Sequence, residues 1–107
     1  MIFEIIMDRL TQLLSFYNDD SNDAFTIYAL ALEYLKSDET KALHYFNLLL
    51  KNHADYLPMY YQLGKFYETK NIIDTAVDYY SKGLALAQLQ NNKHAINELR
   101  SALDDLT

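Results

Sequence analysis

The chain has 107 residues, half of them apolar and 22% charged, with no cysteine. That suffices for one domain with one core, is too charged for a membrane span, too apolar for disorder, and excludes disulfides, thiolate catalysis and cysteine-ligated metal centres. Nine Lys and Arg against fifteen Asp and Glu give a net charge of −6; the cations are scattered, so neither nucleic acid nor a membrane surface is an expected partner.

Two Gly and one Pro are too few turn formers for a sandwich or barrel, so an all-α chain is expected. The run Met1–Met7 is apolar but carries Glu4 and meets Asp8 and Arg9. It is too short for a signal or an anchor and reads as the start of a first helix. Met7 is an alternative start, because the helical pattern is complete from there. The expected location is cytoplasmic. Leu10, Leu13, Leu14 and Tyr17 form one helical stripe that stops at Asn18-Asp19-Asp20. Ser21, Asn22 and Asp23 are N-cap residues for a second helix over about 23–36. Ser37-Asp38-Glu39 opens a third, ending near Lys51-Asn52-His53. Asp55 opens a fourth with Pro58 in its first turn, and Asn71 with Asp74 resembles a cap for a fifth running to about Gln90. Asn91-Asn92 breaks the pattern before a sixth helix over 93–105. Connections this short make consecutive helices antiparallel neighbours.

The helices repeat. Ile27, Leu30, Ala31 and Tyr34 match Tyr60, Leu63, Gly64 and Tyr67 at an offset of 33, and Ala42 and Phe46 match Ala76 and Tyr80 at an offset of 34. The extra residue falls in the turn between paired helices. This pattern resembles the tetratricopeptide repeat (TPR), a helix-turn-helix unit of about 34 residues. Tyr60 stands where the family usually has Trp, and Ala54 and Gln88 stand where a closing Pro is usual. The resemblance implies a right-handed superhelical array of antiparallel helix pairs, a TPR-like α-solenoid. Its segments are an N-terminal capping helix (1–22), two repeats (23–55 and 56–90) and a C-terminal capping helix (91–107). In the last, Ala95 and Leu99 echo Ala76 and Tyr80, as in a second-type repeat helix. Leu30, Ala31, Tyr34, Ala42, Phe46, Leu63, Gly64, Tyr67, Ala76 and Tyr80 are the expected core.

No catalytic signature is present. His44, His53 and His94 lack metal-ligand spacing, Asp19-x-Ser21-x-Asp23 lacks the Gly and Glu of a calcium loop, and Gly64 and Gly83 stand alone within helices. The expectation is a non-enzyme without metal or cofactor.

The resemblance implies that the first helix of each pair lines a concave groove. Its residues would be Phe25, Tyr28, Leu32, Leu35 and Lys36, then Tyr61, Lys65, Glu68 and Thr69. Tyr28 and Tyr61 are equivalent positions, expected to face one channel and to stand apart from the core packing. The second helix is apolar almost all round, so its free side is either covered by the first helix or the C-terminal end, or bare. Co-chaperone members of the family clamp acidic tails with Lys, Asn and Arg; here those places hold Tyr28, Leu32, Tyr61 and Lys65. The expected partner is an apolar or mixed peptide or protein segment. The alternative is a homodimer through the second helix.

Overall fold

Residues 8–107 are described by a computed structural model. The expected helix start within Met1–Met7 lies outside them. The described residues form six α-helices and no strand: α1 Arg9–Asp19, α2 Ala24–Tyr34, α3 Glu39–Asn52, α4 Pro58–Thr69, α5 Ile73–Leu89 and α6 Lys93–Asp104.

Local chemistry sets most of these boundaries. Asp8 caps α1 by accepting the Thr11 N–H at 2.8 Å. Asp23 caps α2 by accepting both the Thr26 N–H at 3.0 Å and the Thr26 hydroxyl at 2.6 Å. These bonds hold both carboxyls below the ordinary aspartate range, the backbone bond leading at Asp8 and the hydroxyl bond leading at Asp23. Asp38 caps α3 and Asn92 caps α6 in the same way.

Two expected starts differ. α4 begins at Pro58, not at Asp55, because Pro58 takes the first helical position, where its fixed φ suits the helix and its missing N–H is not needed. Asn71 does not cap α5, whose N-cap Ile72 makes no side-chain bond. Instead Asn71 takes a left-handed conformation (φ 60°) that ends α4, with the Ile72 N–H donating to the Tyr67 carbonyl at 2.9 Å. Asn91 (φ 53°) ends α5 alike, the Asn92 N–H donating to the Ala87 carbonyl at 3.0 Å. Asparagine tolerates this region better than other residues with a Cβ.

The chain forms two compact units, one ending at Ala54 and the other starting at Asp55. Read from its length as a domain with one core, it has a cluster of buried side chains in each unit. In the first, α1 and α3 both pack on α2. Leu13 meets Ala29, Leu30, Tyr34 and Ala42, and Leu10, Leu14, Tyr17, Leu35 and Tyr45 close around them. The Tyr45 ring stacks on Tyr34 at 5.7 Å and meets Tyr17 edge-on at 5.6 Å.

In the second unit α4 and α6 pack on α5, around Leu57, Ala76, Tyr80, Ala87 and Leu99. Two glycines set how closely these helices approach. A Cβ on Gly64 would collide with the Tyr80 ring, 2.8 Å from its Cζ, and one on Gly83 would lie 2.7 Å from the Tyr60 Cβ. Each helix thus offers a tyrosine to the hole left by a glycine on the other. Tyr80 is wholly buried, and its hydroxyl donates to Glu68 Oε1 at 2.8 Å. Nine of the ten expected core residues are buried; the exception is Tyr67, half-buried and stacked on Tyr79 at 5.7 Å. It lies near the end of α4, where solvent reaches the ring beside the turn.

Two outcomes follow from the tyrosine–glycine packing. Alanine at Gly64 or Gly83 should gain about 0.5–1 kcal/mol of helix propensity and lose about 1–3 kcal/mol to overpacking, a net destabilisation. Urea unfolding of Gly64→Ala and Gly83→Ala measures the balance, and wild-type midpoints would refute the tight fit. The second outcome concerns pH. Burial first, then the bond to Glu68, raises the Tyr80 pKa far above its ordinary value. A raised folded-state pKa gives stability that is complete below the unfolded pKa of about 10 and is lost as pH rises beyond it. Unfolding free energy should therefore fall as pH climbs past that point, and less steeply in Tyr80→Phe. Equal slopes in the two proteins would exclude Tyr80 as a source.

Candidate functional site

The second helix of the chain is the place to look for a binding surface, because its apolar residues exceed what its neighbours cover. Of these, Ile27, Ala29, Leu30, Ala31 and Tyr34 are buried. Phe25, Tyr28 and Leu32 fall on another side, at i, i+3 and i+7. Phe25 is 60% exposed, and Tyr28 and Leu32 are half-buried. α1 covers part of α2 and contributes Arg9 beside this stripe. The three side chains line a cavity of about 270 Å³ with Ala29, Arg9, Glu33 and Lys36. At its charged end the Lys36 ammonium lies 3.2 Å from both oxygens of Glu33, with the Arg9 Nε at 3.9 Å. These are partly exposed pairs that fix the rim more than they add stability. The site is an apolar trough whose rim carries two cations and one carboxylate, suited to contact with apolar side chains.

The structure thus brings together Phe25, Tyr28, Leu32 and Lys36 of the expected groove. Leu35 is not among them; it packs on the buried cluster of Leu13, Leu30 and Tyr34. Arg9 and Glu33 belong to the cavity but carry no repeat signal, so the sequence does not single them out.

In the second unit Tyr61 is half-buried, packs against the core and lies 5.8 Å from the Tyr80 ring. Its expected separation from the core packing therefore does not hold: Tyr80 is a core residue, and the Tyr61 ring is part of its cover. Tyr61 also lines a cavity of about 340 Å³, closed by Tyr56, Leu57 and Pro58 on one side and by His94, Ala95, Glu98 and Leu99 of α6 on the other. Lys65 and Glu68 are not in that lining. Lys65 is exposed, its carbonyl accepting the Thr69 hydroxyl at 2.8 Å, while Glu68 is held by the Tyr80 hydroxyl. The contribution of α6 has only one sequence trace, the echo of Ala76 and Tyr80 in Ala95 and Leu99.

The histidines lie apart: His53 Nε2 is 3.1 Å from Asn22 Oδ1, His94 is 3.8 Å from Glu98, and His44 meets the Tyr45 ring edge-on. Among the described residues no three His, Asp or Glu converge as a metal ligand set, and no helix is long and apolar enough to cross a membrane.

No family model and no curated protein matches the chain. Solved structures do. The crystal structure of a tetratricopeptide repeat domain protein from Salinibacter ruber is 39% identical, with a TM-score of 0.71 over 78% of this chain and 94% of that one. A solution NMR structure of a tetratricopeptide repeat domain protein from the same organism is also 39% identical, with a TM-score of 0.75 over 81% of this chain and 89% of that one. With paired helices, small residues at Ala31, Gly64, Ala42 and Ala76 buried between them, and this likeness over most of its length, the chain belongs to the tetratricopeptide repeat family.

Proposed function

We propose that the chain is a non-catalytic, cytoplasmic protein-interaction scaffold that holds an apolar or mixed peptide or protein segment against the partly exposed stripe of α2, without a cofactor. The observation that supports this reading is the trough of Phe25, Tyr28 and Leu32 with Lys36 at its rim. A 60% exposed phenylalanine beside two half-buried apolar side chains is surface that a partner's side chains can desolvate further. Phe25 and Tyr28 would act as the anchors, because aromatic rings contribute large contact area with few rotamers to immobilise. Lys65 and Glu68, the expected polar contributors from α4, take a lesser part, since Glu68 already serves Tyr80.

Peptides selected from a displayed random library on the wild-type protein provide the probe. Tyr28→Ala should weaken their binding by on the order of 1–2 kcal/mol and leave the melting temperature close to wild type. Tyr61→Ala should lower the melting temperature instead, because its ring covers Tyr80. Selected peptides that bind Tyr28→Ala as tightly as wild type would remove the trough from the interaction. Light scattering on the peptide-free protein tests the homodimer reading: a tight dimer that Tyr28→Ala dissociates would make a second copy the occupant of the trough.

A further inference from the structure

The cavity of the second unit differs in charge from the trough of the first. Its floor is apolar and aromatic, formed by Tyr56, Leu57, Tyr61 and Leu99. Its formally charged lining residues are both acidic, Asp55 at the approach to α4 and Glu98 on α6, and no Lys or Arg lines it. His94, which also lines the recess, is 90% exposed and 3.8 Å from Glu98, and carries charge only when protonated. Carboxylates and aromatic rings lining one recess of about 340 Å³ form a setting for a guanidinium: a ring can accept its flat face and the carboxylates its N–H donors. A net charge of −6 adds long-range attraction for a cationic partner and repulsion for a second copy of the chain.

We infer that the cavity between the start of α4 and α6 is a second docking site, which takes an arginine-bearing basic segment of a partner protein. The inference rests on the reading of the chain as an interaction scaffold, but on residues of the second unit rather than those of the α2 trough. One arginine side chain enters over Tyr61, and Asp55 and Glu98 hold its charge at the rim. The segment's neighbouring apolar residues rest on Leu57 and Leu99.

The probes are two labelled synthetic peptides of equal length and identical apolar residues, one carrying arginines and the other glutamates in the same places. Fluorescence anisotropy should show binding of the arginine peptide alone. Its affinity should fall by about tenfold in Asp55→Asn/Glu98→Gln. The variant Asp104→Asn/Asp105→Asn removes the same charge from the end of α6, outside the cavity, and should fall much less. Amide NMR shifts on titration should concentrate at Tyr61, Ala95 and Leu99, and thermal melts confirm that both double variants stay folded. Equal weakening in the two variants would mean general attraction to an acidic surface and would overturn the site. So would equal binding of the two peptides, or shifts that map elsewhere. Because Tyr28→Ala leaves this cavity intact, it should bind the arginine peptide like wild type; loss of arginine binding there would assign the probe to the α2 trough. Library peptides that still need Tyr28 while the arginine peptide fails to bind would leave the trough standing and remove only this second site.

Discussion

The close approach of α4 and α5 depends on a reciprocal exchange: Tyr80 occupies the space over Gly64, and Tyr60 the space over Gly83. Each tyrosine fits only because the facing residue is a glycine, since a Cβ at either position would collide with it. The same exchange fixes the Tyr80 hydroxyl against Glu68 and so withdraws that carboxylate from the partner-facing inventory. It also explains why Tyr61 cannot serve as a detached anchor, since its ring lies against the one that fills the hole. Packing thus decides which side chains remain for recognition.

The features legible from sequence are those with a period or a local chemical rule. The stripe of Leu10, Leu13, Leu14 and Tyr17, the cap at Asp23, the place of Pro58 in a first turn and the buried matches of the two repeats all follow from spacing and residue type. Asn71 shows where such rules compete. Its spacing to Asp74 fits an N-cap, yet asparagine also suits a left-handed helix end, and the bond from the Ile72 N–H to the Tyr67 carbonyl accompanies the second role. The candidate surfaces are half legible. Phe25, Tyr28 and Leu32 share a face by arithmetic alone, but the departure of Leu35 into the core depends on where α1 lies. The enclosure of Tyr61 by α6 depends on tertiary packing that no repeat register encodes.

Charge distribution gives the two cavities different chemistry. Several cations are engaged close to their own positions: Lys36 by Glu33, Lys82 by Asp78, and Lys41 and Lys70 over the rings of Tyr34 and Phe66. The trough on α2 is lined by Arg9 and Lys36 against one carboxylate, Glu33. The recess beside α6 is lined by Asp55 and Glu98 and by no Lys or Arg.

In each unit, every extensive helix contact joins elements adjacent in the chain, α1 with α2 and α2 with α3, then α4 with α5 and α5 with α6. Folding kinetics should reflect that arrangement. Each such contact closes only a short loop, with little entropy lost before packing begins, so either unit can nucleate on its central helix without waiting for distant sequence to arrive. During synthesis α1, α2 and α3 are all made before α4, so the contacts of α2 with α1 and α3 need nothing from the second unit.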